Sequence, residues 1–107
     1  MVVDYQPKSG EEVLAEAYAN LFRGLEGVGG RMRITNQRVI FKPHALNIQS
    51  QPEEIPIREI AEVGERRTWG LIPNGLFIRT RSGLERKFVV WRRNELISLI
   101  RNLMASV

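Results

Sequence analysis

Apolar and polar positions along this chain follow two different rhythms. Val13, Ala15, Ala17 and Ala19 fall on every second position, the period of a half-buried strand. The alanines and Glu16 in the same stretch would also suit a helix. Residues 30–35 alternate Arg31 and Arg33 with Met32 and Ile34, so cations face water while the apolar pair faces a core. Asn36-Gln37 then reads as a tight turn, and Val39-Ile40-Phe41 as a branched and aromatic strand ended by Pro43. Residues 44–54 read as loop, with Pro52 and Pro56 bracketing a polar segment. Further strands are expected at 55–57 and 60–67, marked by Ile57, Ile60 and Val63.

After a turn-rich stretch at 69–75, residues 76–81 and 87–91 form a hairpin around Ser82-Gly83. A two-residue loop would oppose Arg79 to Arg86, an unfavourable pairing. A three-residue loop that sets Arg81 against Glu85 and Ile78 against Phe88 is preferred. The rhythm then changes: Leu96, Ile97, Leu99, Ile100, Leu103 and Met104 recur at helical spacing, with Glu95, Ser98, Arg101 and Asn102 opposite. Asn94 is the expected N-cap. Some seven short strands followed by one amphipathic helix predict an all-β barrel whose open end the helix plugs.

Gly24, Gly27, Gly29 and Gly30 are expected to interrupt the chain as a hairpin connection with positive φ. Gly27 and Gly29 make a G-x-G, but a strand follows where a dinucleotide-binding loop needs a helix N-terminus. Catalytic chemistry is equally scarce. His44 is the only histidine, Asp4 the only aspartate, and there is no cysteine. A Ser–His–Asp arrangement, a thiol nucleophile and a cysteine-based metal site are therefore not expected, and neither is any cofactor. The adjacent Glu53-Glu54 makes a poor acid–base pair.

A length of 107 residues with 43% hydrophobic and 26% charged positions fits one globular domain, here residues 10–107 behind a polar lead-in at 1–9. The absence of cysteine suits a reducing compartment, and no apolar run approaches membrane-helix length. The N-terminus lacks the pattern of a signal peptide, so a cytoplasmic protein is expected. The net charge of +4 is unevenly spread: residues 1–30 carry −3, residues 31–65 are neutral, and residues 66–107 carry +7. That asymmetry predicts a basic face, unless strands distant in sequence offset one another.

The run Gly29-Gly30-Arg31-Met32-Arg33-Ile34-Thr35-Asn36-Gln37-Arg38-Val39-Ile40-Phe41 resembles the signature of the GRAM domain, a member of the PH-like superfamily. Pro43-His44, Ile55-Pro56-Ile57, Pro73-Asn74-Gly75-Leu76 and Phe88-Val89-Val90 extend the similarity over most of the chain. The resemblance implies a partly open, seven-stranded barrel of two near-orthogonal sheets, capped by the C-terminal helix. It makes Gly29, Gly30, Thr35, Asn36 and Arg38 a structural turn signature, with Asn36 in left-handed geometry, Thr35 bonding the turn backbone and Arg38 in a salt bridge. Family members usually carry an aromatic residue where this chain has Arg33.

The resemblance also implies a binding module, targeted to membranes or to proteins. A protein partner or a second copy, recruited at edge strands of an incompletely closed barrel, is the first expectation. The alternative is an anionic membrane surface or phosphoinositide head group, held by Arg23, Arg31, Arg33, Arg66 and Arg67. Trp69, Leu71 and Ile72 would then enter the interface or meet the partner. Nucleic acid is disfavoured, because Phe41, Phe77 and Phe88 occupy core-like positions and leave only Trp69 and Trp91 for base stacking.

Overall fold

The computed structural model describes residues 6–24, 26–44, 52–68 and 72–107, with Thr68 and Ile72 described by backbone alone. Seven antiparallel strands are followed by one helix: β1 (Val13–Arg23), β2 (Glu26–Thr35), β3 (Arg38–Pro43), β4 (Glu53–Pro56), β5 (Ile60–Thr68), β6 (Ile72–Thr80), β7 (Glu85–Val90) and α1 (Arg93–Ala105). A 3-10 turn, Ile57–Glu59, links β4 to β5, so Ile57 lies in that turn and not in a strand. The order β4-β3-β2-β1-β7-β6-β5 makes one continuous sheet, where two sheets were expected. The reason is the length of β1. Its whole span pairs with β2, while Ala19 to Phe22 also pair with β7, so one strand joins what would otherwise be two layers.

The period of two puts Ala19, Leu21, Val28, Met32, Ile34, Phe41, Leu76, Ile78 and Phe88 inside. The Phe41 and Phe88 rings meet across the core, 5.7 Å apart between centroids and tilted by 56°. The helix lies against β5, β6 and the 3-10 turn and buries Leu96, Ile97 and Ile100, as its apolar stripe predicts. Its cap differs from expectation. Arg92 is the N-cap residue, with φ 62° and ψ 33°, and no side chain caps the helix. The chain must turn sharply from β7 onto the core, and that left-handed corner comes two residues before Asn94 can act.

Three further expectations are corrected. Gly27, Gly29 and Gly30 lie within β2, and of the four glycines only Gly24 has positive φ. Gly30 is needed for closeness: a Cβ there would overlap the Lys42 carbonyl oxygen and lie 2.8 Å from Phe41 Cζ and Pro43 Cα. The β6–β7 loop has three residues, but it is Arg81-Ser82-Gly83, with Arg79 opposite Glu85 and Ile78 opposite Arg86. Gly83 at φ 94° and the Leu84 N–H donating to Thr80 Oγ1 select that register. The shift is two residues, so Ile78 and Phe88 keep their inward face, but Phe77, expected at a core-like position, falls between the buried Leu76 and Ile78 and turns outward. Phe77 is on the outer face, over Gly64 and under the Arg79 guanidinium, 5.6 Å from the ring centroid.

The Thr-Asn-x-Arg turn has a physical explanation. Thr35 Oγ1 accepts from the N–H groups of Gln37 and Arg38, both at 3.0 Å, and donates to Glu11 Oε2 at 2.7 Å, using its full capacity. Arg38 donates to both oxygens of Glu11, to Glu54 Oε1 and to the Gln6 carbonyl. Asn36 does not take left-handed geometry. Its side chain instead accepts from Glu12 N–H and donates to the Gly10 carbonyl, while Gln37 reaches the Ser9 carbonyl. Residues 6–12 are thereby tied to the β2–β3 turn.

The Glu11 side chain is fully buried and that of Arg38 is 8% exposed. The Arg38 guanidinium, aided by the Lys8 N–H and the Thr35 hydroxyl and opposed by burial, lowers the Glu11 pKa from 4.5 to about 2. Glu11 raises that of Arg38 in return. A depressed carboxylate contributes its full stability above its unfolded pKa and loses it as the pH falls through the folded value. Arg38→Ala should thus cost about 3 kcal/mol at neutral pH, since it strands a buried carboxylate. The stability gap between wild type and Glu11→Gln should close as the pH falls from 4.5 to about 2; urea melts across that range check both. Gly30→Ala should cost about 2 kcal/mol through overpacking. Gly27→Ala, whose added Cβ would have its nearest neighbour at 3.5 Å, should stay near neutral in the same melts.

Candidate functional site

Three arginines of the basic C-terminal third are paired with carboxylates from earlier in the chain. Arg79 pairs with Glu62 and Glu85, Arg93 with Glu65, and Arg86 with Glu53. The five cations expected to gather on an anion are dispersed. Arg31 and Arg33 project from the outer face of β2 beside Glu16, at 3.8 and 3.0 Å. Arg23 ends β1 and meets Glu53, which also receives Arg86, so two cations converge on one carboxylate. Arg66 and Arg67 sit on β5, three places from β1 in the sheet. Trp69 and Leu71 lie outside the described residues, and Ile72 is the first residue of β6.

The edges of the sheet are covered in part by the protein itself. At one end β4 is four residues long, ends on Pro56 and follows Pro52, and proline withholds the donor an added strand would use. At the other end, the Val63 carbonyl of β5 accepts from Arg101 Nη2 at 3.0 Å, while Arg93 Nη1 bridges the Arg66 carbonyl of β5 at 2.9 Å and the Gly75 carbonyl of β6 at 3.2 Å. Both arginines belong to α1. A strand docking on β5 would compete with the Arg101 guanidinium for the Val63 carbonyl.

A concave surface lies instead on the outer face of the central strands. The period of two turns Tyr18 and Asn20 of β1, Gly29 of β2 and Val89 of β7 outward together, with Asn20 opposite both Gly29 and Val89. They line a cleft of about 490 Å³ with His44, Asn74 and Trp91, a size ordinary for a binding pocket. Gly29 opens its floor: a Cβ there would stand 3.3 Å from Asn20 Oδ1 and 3.5 Å from His44 Cδ2. The His44 N–H holds to the Gly29 carbonyl at 3.0 Å, and its ring stands 6.2 Å from that of Tyr18. Arg31 lies over the other part of the Tyr18 ring, 5.1 Å from its centroid, and donates to its hydroxyl at 3.1 Å.

Trp91 is the wall of the cleft and is 86% exposed; Tyr18 is 64% exposed. The corner at Arg92 explains the projection of Trp91. With Arg92 left-handed, α1 turns toward the core while the residue before it stays on the outer face. Arg92 is held by a bond to the Glu16 carbonyl at 3.0 Å and by Glu95 at 3.1 Å. Sequence reasoning left Trp91 free but did not join it to Tyr18, Asn20, His44 and Asn74. The signal available was the alternation in β1, which sends Tyr18 to the side opposite Ala17 and Ala19. Among the described residues no three histidine or acidic side chains gather as metal ligands.

The GRAM domain family model matches residues 3–107. No curated protein matches the sequence. Among solved structures, the C-terminal domain of an unknown protein from Leishmania infantum aligns with a TM-score of 0.77 at 15% identity, covering 91% of this chain and 87% of that one. The Vps36 N-terminal PH domain aligns with a TM-score of 0.68 at 16% identity, covering 94% and 86%. The Slm1-PH domain in complex with inositol-4-phosphate aligns with a TM-score of 0.60 at 12% identity, covering 87% and 94%. At these identities the structures establish a shared fold.

Proposed function

The chain belongs to the GRAM domain family, a family of binding modules with a PH-like fold, and from that premise we propose that it is a non-catalytic protein-interaction module. The working surface is the cleft between β1, β2 and β7. The observation that carries this reading is the exposed pair Trp91 and Tyr18 at a concave site. A large aromatic side chain left in water is costly unless something covers it, and such residues anchor interfaces. The position of the cleft supports a bound partner over an added strand, because the edge strands carry their own covers.

A second reading is an anionic head group at the end of the β1–β2 hairpin. It is favoured by the convergence of Arg23 and Arg86 on the single carboxylate of Glu53 and by the inositol-4-phosphate bound to the Slm1-PH relative. Arginine suits phosphate through its planar fork. Against it, each of these cations already has a carboxylate, which an incoming phosphate would have to displace. We favour the protein partner.

The readings separate cleanly. Used as baits in one lysate, the wild-type chain should retain a protein that Trp91→Ala loses; equal retention by both overturns the cleft as the working surface. Light scattering across a concentration series shows whether the retained partner is a second copy. Sedimentation with phosphatidylserine vesicles, with and without phosphoinositide, should leave the protein in the supernatant. Salt-sensitive pelleting that Arg23→Gln and Arg86→Gln abolish would establish the lipid reading instead.

A further inference from the structure

The strands that floor the cleft are β2, β1 and β7, each flanked by a strand on both sides. At the floor of the cleft Asn20 is paired with both Gly29 and Val89, and the Gly29 carbonyl accepts from His44, so a ligand there cannot be bound by a ladder of main-chain hydrogen bonds. It must be recognised through side chains alone. We propose that the cleft takes a proline-rich peptide in the polyproline II conformation, with acidic residues flanking its prolines. This rests on the reading of the cleft as a protein-binding surface and narrows it to one ligand chemistry.

The donors and acceptors agree. A polyproline II segment has no internal hydrogen bonds and presents carbonyl oxygens all along its length, while its prolines have no N–H. It therefore needs donors and flat apolar walls. The Trp91 indole N–H is a donor only. Among the described residues, neither the Trp91 indole nor the Asn20 amide has a hydrogen-bond partner. Tyr18 precedes Ala19 and Trp91 follows its partner Val90; both line the cleft, so each offers an aromatic wall to the puckered edge of a proline.

The cleft is also prepared for such a ligand. Tyr18 is held by the Arg31 guanidinium at its face and hydroxyl and by the His44 ring, which lowers the ordering cost on binding. A polyproline II helix is likewise ordered before it binds. The bare Gly29 leaves room between Asn20 and His44 for a ring to approach the floor.

Charge sets the flanks. Arg31 and Lys42 are opposite one another in the β2–β3 ladder, in the row next to Tyr18, and Arg92 follows Trp91. The three lie just outside the lining, next in ladder or sequence to Tyr18 and Trp91, with Arg31 paired to Glu16 and Arg92 to Glu95. Lys42 has no carboxylate within ion-pair reach among the described residues. An acidic residue beside the prolines complements that rim, as a basic one would not.

The test is a titration of the full chain with a short synthetic polyproline peptide ending in two glutamates, read by the NMR signal of the Trp91 indole N–H, which Trp91→Phe assigns. A saturable shift is expected, with affinity falling at least ~10-fold in Tyr18→Ala and in Gly29→Val. Exchanging the glutamates for lysines should weaken binding further. The proposal is overturned if the indole signal stays still at millimolar peptide. It is also overturned if a glycine–serine peptide with the same glutamates binds equally, or if an adenine nucleotide or inositol phosphate produces the shift in its place. Tyr18 and Trp91 are largely exposed, so unchanged thermal melts of the variants establish that lost binding is not lost folding. Should the peptide fail while a Trp91-dependent protein partner persists, only the ligand class falls. Should the partner be insensitive to Trp91, the reading of the cleft itself fails.

Discussion

Everything in this fold leans on one buried ion pair. Arg38 begins β3, yet its guanidinium reaches back to Glu11 and Gln6 and across to Glu54 of β4. Two segments far from it in sequence, residues 6–12 and β4, are thus pinned to one turn. A buried pair of this kind adds little net stability over an apolar substitute, and breaking it is what costs. Its value is placement. With β4 anchored at Glu54, the neighbouring Glu53 is in position to receive Arg23 from β1 and Arg86 from β7. Those contacts bring the short end of the sheet to its middle and curl it into a barrel.

Much of this was legible because strands obey a strict period. Alternation at 13–19 and 30–35 predicts which side of β1 and β2 meets the core, and the helical stripe at 96–104 predicts how α1 caps it. In β6–β7 the observed register differs from the expected one by two residues, so Ile78 and Phe88 still face the core, while Phe77, one place from each of two inward neighbours, faces out. What failed were inferences from residue type without context. Glycines at 27, 29 and 30 suggest a break, whereas the close approach of β3 makes Gly30 part of a strand. Asn36 suggests a left-handed turn, whereas its amide is needed to hold residues 10 and 12.

The charge asymmetry was legible as a number and misleading as a surface. Three of the cations behind the +7 of the last third, Arg79, Arg86 and Arg93, meet Glu62, Glu53 and Glu65 through strand and helix packing. Pairing in an antiparallel sheet joins residues without regard to a division along the sequence, so a block of charge seldom remains a face. The cleft was hidden for a related reason. Its walls come from β1, the end of β7 and the residue after β3, and no linear spacing connects them.

The two ends of the sheet and its middle now define complementary roles. Proline at β4 and helix-borne arginines at β5 make the edges poor templates for another strand, which protects a small barrel from joining its copies edge to edge. That protection leaves the outer face as the surface where recognition can occur without opening the sheet. The left-handed Arg92 connects the two requirements. It turns α1 onto the core, where Arg93 and Arg101 reach the β5 carbonyls, and the same turn leaves Trp91 standing outside. Relaxing that corner would alter both the cover at the edge and the wall of the cleft, so the backbone strain sits at the residue that the helix start and the cleft wall share.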